Sequence, residues 1–442
     1  MTTTTNTERS LLALLMVVAA IAVFAPLCAS PLNDSEVSLL AIATEMSGHG
    51  FGALFSLDYA HNFAFNLYAY LVSVGINVFS LSDVAAVRLP SALVIWLLTV
   101  GVYHYRGSTE KRSTSFMAAL VFLSSYIVIS SANTATPLTL TTIFFIAAMA
   151  SLYHWLKQSS PTKNALLAAS TACSMLFFGF FTPIALMAVA VVFVIAQDKP
   201  DYLRLLHLAL WMIAAIVITF FAVAFFANSR HVAEAVLGIG QFTEPLAEFS
   251  HLKMLALQLV FAFFPWSIPL IMALVWIICH PRWLRDEFRT LSLLKQFGVI
   301  AFIFTIPLLS ALNGLSFIMI IAAIYFNSPL VAEMMLSQQH NHSITWRIAG
   351  TLFAIIVMAV CAFAMMACCG ANPTIGAFAL KHFDCSAGFV TLLAVVAFNL
   401  YALWRNSRTI SRSNRFLYNL ISLYIVAQLL YTLYVNPNIH SL

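Results

Sequence analysis

The stretch LLALLMVVAAIAVFAPLCASPLNDSEVSLLAIATEM, residues 11–46, decides the fold class. Its first half is an apolar run without a charged residue. As a helix that run is long enough to cross a hydrocarbon layer of ~30 Å. Its second half opens on Asp34 and Glu36, two carboxylates in a chain that otherwise avoids charge. Backbone groups in lipid must be bonded internally, so the run reads as a transmembrane helix and the carboxylates as residues at a membrane surface.

The rest of the chain repeats the first half. Of its 442 residues, 62% are hydrophobic and only 8% are charged, and the mean hydropathy is +0.93. Such a composition excludes a water-soluble surface. The apolar runs predict an all-α polytopic membrane protein with about thirteen spans: 10–29, 84–103, 113–132, 137–156, 164–181, 182–197, 205–227, 253–279, 296–312, 315–335, 347–369, 388–404 and 416–435. Segment 63–80 is apolar but short, begins with polar residues, and is expected to lie in the outer interface.

Positive charge sets the orientation. With the N-terminus in the cytoplasm, all of the 21 Lys and Arg fall on the inner side except Arg88, Arg230, Lys253 and Lys381. A crossing at 63–80 would invert every later loop. The expected topology is therefore multi-pass in the inner (plasma) membrane, with a periplasmic C-terminus. The net charge of +5 is a topology signal and does not imply nucleic-acid binding. The triplet CAS at 28–30 resembles a signal-peptide cleavage site, but the apolar core before it is long for one, so the first run is read as a retained span. NPNIHSL at 436–442 is expected to be a tail after the last span.

The seven cysteines show no metal-ligand spacing. A bridge from Cys385 to Cys368 or Cys369 is an alternative to free thiols in an oxidising compartment. No P-loop, dinucleotide-binding glycine pattern or nucleophile elbow occurs, which leaves ATP-driven phosphoryl transfer and hydride transfer without support.

Polar residues gather in two outer loops, 30–83 and 228–252. In the first, Leu39, Ile42 and Met46 predict an interfacial helix over 35–47, with Asp34 as its N-cap and Glu36 in its first turn. The plain reading is a capped helix. The sharper one is a carboxylate offered to a polar substrate at the surface. In the second loop, Glu244, Glu248 and His251 share one face if the segment is helical, a spacing that carboxylate metal sites use. FFPWSIP, 263–269, predicts a kinked span.

Several motifs, in order, resemble the GT-C glycosyltransferases, most like the subgroup of the aminoarabinose transferase that modifies lipid A and the protein O-mannosyltransferases. They are IATEMSGHG at 42–50, VAAVRLPSAL at 84–93, ATPLTLTTIFFIAAMASLYHW at 135–155, FFGFFTPIALMAVAVVFVI at 177–195 and FFPWSIPLIMALVWI at 263–277. The resemblance runs over about residues 10–335. It implies a GT-C-like core over 1–335 carrying both outer loops, with 336–442 adding C-terminal helices to the same membrane domain.

The resemblance also implies a polyprenyl-phosphate-linked sugar as donor and a membrane-associated lipid or protein acceptor in the cell envelope. A carboxylate would act near that acceptor, and a divalent metal is the cofactor it implies. On this reading Asp34 and Glu36 are the catalytic candidates, His61 and Arg88 the substrate-binding ones, and Glu244, Glu248 and His251 the metal candidates.

The chain departs from the family at many functional positions. Without gaps, the family's Asp-Glu pair falls on Ser35 and Glu36, and Asp34 replaces the Asp only by a shift of one residue. The Glu-Lys before the interfacial segment falls near His61 and Asn62. The Asp of the next outer turn is Thr136, and the Lys of the family's hairpin motif is Pro183. The Glu-His and Arg of the second loop become Leu237, Gly238 and Gln241, and later lysines give way to LNGLS at 312–316. The expected function is therefore a divergent glycosyltransferase, with an inactive relative that binds polyprenyl lipid or supports a partner enzyme as the alternative. A transporter finds less support, since the sequence shows no repeated halves.

Overall fold

The computed structural model of the chain describes residues 2–28, 31–47, 63–104, 112–195, 202–226, 266, 296–301 and 316–337. Among the described residues every regular element is a helix, as composition predicts. In chain order they are α1 (Thr2–Phe24), α2 (Asp34–Met46), α3 (Phe63–Asn77), α4 (Asp83–His104), α5 (Arg112–Leu123), α6 (Tyr126–Ala132), α7 (Pro137–Lys157), α8 (Pro161–Phe178), α9 (Phe181–Ile195), α10 (Tyr202–Phe226) and α11 (Ser316–Ser337). The expected spans at 84–103, 137–156, 164–181, 182–197, 205–227 and 315–335 each meet one of these helices. Those at 347–369, 388–404 and 416–435 lie outside the described residues. So does 253–279 apart from Trp266, while 296–312 is described at 296–301, as helix.

The expected single span at 113–132 is broken. α5 and α6 meet at 65° across Ser124 and Ser125. Both serines turn their hydroxyls back onto the helix, Ser124 Oγ donating to the Leu120 carbonyl at 2.6 Å and Ser125 Oγ to the Val121 carbonyl at 2.9 Å. Such back-bonding competes with the backbone ladder and bends helices. The indole of Trp266 enters the corner and donates to Ser124 Oγ at 2.9 Å in a buried setting. The tryptophan of the Pro-Trp stretch thus packs against the break.

Small residues and aromatic rings hold the bundle together. Helices in lipid gain little from the hydrophobic effect, so close contact and interhelical hydrogen bonds must bind them. Phe297, fully buried, meets Tyr153 of α7, Phe193 of α9 and Phe326 of α11 at ring distances of 5.5, 6.1 and 5.6 Å. Next to it a Cβ on Gly298 would stand 2.6 Å from the Phe326 carbonyl oxygen, so only glycine admits this approach. Asn327 Nδ2 crosses the same gap to the Gly298 carbonyl at 3.1 Å. Pro329 in α11 has no N–H for the Tyr325 carbonyl, and Ser328 Oγ supplies the missing donor at 3.0 Å. The α8–α9 corner turns on Gly179 at φ 53°, in the left-handed region.

Candidate functional site

Four segments converge at the pole where α1 ends and α2, α4 and α7 begin. α2 starts there because Asn33 caps it. The Asn33 side chain accepts from the Glu36 N–H at 2.8 Å, and the Glu36 carboxylate accepts from the Asn33 N–H at 3.1 Å, a reciprocal capping box. This corrects the expectation that Asp34 is the cap. Asp34 instead occupies the first helical position, where the helix dipole favours its charge.

Glu36 is then engaged from three sides. Arg88 of α4 donates its Nε to Oε1 at 2.9 Å and its Nη2 to Oε2 at 2.8 Å, a bidentate fork. The Ala135 N–H, in the turn between α6 and α7, donates to Oε1 at 3.0 Å. With Asn33 this makes four donors on one carboxylate. Arg88 is equally committed. Its Nη1 donates to the Leu27 carbonyl at 2.9 Å and its Nη2 to the Pro31 carbonyl at 2.8 Å, which ties down the segment joining α1 to α2. Glu36 is 1% exposed and Arg88 3%.

Burial alone would raise the Glu36 carboxyl. The Arg88 hydrogen bonds, the Ala135 and Asn33 N–H groups and the Arg88 charge outweigh it and hold the carboxyl below its ordinary value. Glu36 is therefore a fixed anion. A general base needs a lone pair free for the proton it takes, and here each oxygen already has two donors.

α4 is shaped to hold this arginine. Pro90 lies inside it and leaves the Ala86 carbonyl without its helical donor. In the opened turn the Tyr68 hydroxyl of α3 donates to the Val87 carbonyl and shares a hydrogen bond with Ser91 Oγ, both at 2.8 Å. Ser91 in turn reaches the Thr136 carbonyl at 3.5 Å. The expected interfacial segment is thus locked to α4 and to the α6–α7 turn by a buried tyrosine.

Of the sequence candidates, Glu36 and Arg88 are brought together and bound to each other. Asp34 stands beside them on the exposed side of α2, next to exposed Ser35, whose hydroxyl donates to Asn33 Oδ1 at 2.7 Å. His61, Glu244, Glu248 and His251 lie outside the described residues, and among the described residues no group of three His, Cys, Asp or Glu could hold a metal. Sequence reasoning missed Asn33, although Asn-x-x-Glu before an apolar periodicity is a capping-box signature. It also missed Ala135 and Asn133. Asn133 Nδ2 donates to the Ile129 carbonyl at 3.1 Å, which fixes the amide's orientation, and its Oδ1 is buried with no partner.

No protein-family profile matches the chain, and no curated protein sequence matches it. Solved structures similar to the chain include two of one protein. The crystal structure of ArnT from Cupriavidus metallidurans bound to undecaprenyl phosphate has a TM-score of 0.66 and 18% identity, covering 95% of this chain and 77% of that one. ArnT from the same organism in the apo state has a TM-score of 0.66 and 18% identity, covering 96% and 77%. At this identity the likeness is one of fold. The chain has the GT-C fold of a polytopic α-helical membrane protein, as its motifs predict.

Proposed function

We propose that this chain is a divergent membrane glycosyltransferase. It moves a sugar from a polyprenyl-phosphate carrier to an envelope lipid or protein at the outer face of the inner membrane. The observation that carries the proposal is the division of labour between adjacent carboxylates. Glu36 is saturated and rigid, while Asp34, two residues before it, is exposed on a helix start that Glu36 anchors to α4 and the α6–α7 turn. In this reading Asp34 takes the acceptor proton, and Glu36 and Arg88 are positioning residues. A donor carried on a polyprenyl phosphate is supported by the fold shared with a protein crystallised with undecaprenyl phosphate. His61 is assigned to the carrier phosphate. A divalent metal is assigned to Glu244, Glu248 and His251, where carboxylate and imidazole donors suit such an ion.

A second reading, a non-catalytic binder of polyprenyl lipid, is favoured by Ser35, on which the Asp of the family's Asp-Glu pair falls without gaps. Mass spectrometry of envelope glycolipids and glycoproteins from a deletion strain separates the two. Wild type restores a missing glycan, and Asp34→Asn, expressed and folded, lowers its formation by ~10²–10⁴-fold. Full restoration by Asp34→Asn assigns the chain to the binding role.

A further inference from the structure

Opposite the Glu36 pole, the ends of α7, α8 and α10 carry Lys157, Lys163 and Arg204. α7 starts two residues after Ala135 and runs 21 residues to Lys157, about 30 Å away. There the ends of α7, α8 and α10 are tied together. Trp155 Nε1 donates to Asn164 Oδ1 at 2.7 Å, joining α7 to the first turn of α8. Arg204 Nη1 donates to the Leu156 carbonyl at 3.3 Å, joining α10 to α7. These ties hold side by side the helix ends that carry Lys157, Lys163 and Arg204.

Lys157 and Arg204 are exposed and Lys163 is half-buried. Among the described residues, neither lysine has a carboxylate partner. The N-terminus of α8 adds partial positive charge, since Ser160 caps only the Lys163 N–H. In the same first turns, α10 presents Tyr202, Leu203, Leu206, Leu210 and Ile213, each between 55% and 70% exposed. Cationic side chains at helix ends thus adjoin an apolar stripe of exposed α10 residues that runs along the helix.

Positive charge that only sets topology works anywhere in a loop. It requires neither hydrogen bonds that bring three helix ends together nor an apolar track beside them. We infer that Lys157, Lys163 and Arg204 form a binding site for an anionic glycerophospholipid, whose phosphate sits among the three cations and whose acyl chains lie along the outward face of α10. This site is separate from the Glu36 pole and stands whether or not that pole is catalytic.

Native mass spectrometry of the full chain with phosphatidylglycerol and phosphatidylcholine tests the inference. Wild type is expected to retain phosphatidylglycerol selectively. Each cation near a membrane surface is worth about a factor of five, so Lys157→Gln/Lys163→Gln is expected to weaken that retention ~25-fold. Lys157→Arg/Lys163→Arg keeps the charges and is expected to retain the lipid. Lys111→Gln/Arg112→Gln removes the same charge from another inner loop and is expected to change retention less than twofold. Equal retention of the two lipids by wild type overturns the site. So does an equal loss in the Lys111/Arg112 variant, which would assign the effect to diffuse charge.

Discussion

Replacing Glu36 by glutamine tests the physical core of the outer pole. The substitution keeps the side chain's shape but removes its charge and turns one acceptor oxygen into a donor. That donor then faces N–H groups, since Glu36 Oε1 takes Arg88 Nε and Ala135 N, and Oε2 takes Arg88 Nη2 and Asn33 N. Arg88 stays buried at 3% exposure without its counter-charge. Breaking a buried pair by removing one partner costs about 3–5 kcal/mol, because the remaining charge is uncompensated. Local opening of α2 from the pole should become easier by about two to four orders of magnitude. Hydrogen exchange in lipid nanodiscs, read on peptides covering 31–47 and 133–137, measures this directly. The Glu36→Gln protein is expected to exchange faster by that factor at both peptides together, while Asp34→Asn, on the exposed side, leaves both within twofold of wild type. Glu36→Met/Arg88→Met, which removes both charges, is expected to cost less than the sum of the single changes. Wild-type exchange in Glu36→Gln, or additive single and double changes, would refute the lock.

Two further outcomes follow from the same geometry. The folded-state Glu36 carboxyl lies below its ordinary value of 4.5, so its stabilising contribution is fully present above that pH and is lost as pH falls through the depressed folded value. Protection of α2 is therefore expected to hold through mild acid and to fail only below about pH 4.5, and failure near pH 6 would exclude Glu36 as the responsible group. Gly298→Ala forces a methyl group to within 2.6 Å of the Phe326 backbone oxygen. It is expected to cost about 1–3 kcal/mol and lower the thermal unfolding midpoint; an unchanged midpoint would show that α11 is free to shift.

Much of this protein is local information, and the sequence by itself determined that part. Run length and hydropathy predict helices where α4, α7, α8, α9, α10 and α11 stand, because a backbone in lipid has no alternative to bonding within its own segment. The carboxylates of 34 and 36 predict a helix start, although the cap proved to be Asn33 and not Asp34. The motifs in order predict the GT-C fold that the comparison structures share.

The surroundings of the same residues depend on tertiary structure. Asp34 and Glu36 look alike in the sequence, yet one is exposed and the other buried, because the turn of α2 carries Glu36 towards Arg88, 52 residues on, and Ala135, 99 residues on. Arg88, which the resemblance offers as a substrate-binding residue, is held inside by Glu36 and two carbonyls. The 65° break between α5 and α6 falls at the Ser124-Ser125 pair, and Trp266, 142 residues away, packs into it. Helix formation depends on neighbours within a few residues. The fate of a charge or a kink depends on which distant donors reach it once it is buried, and no periodicity in the chain encodes that.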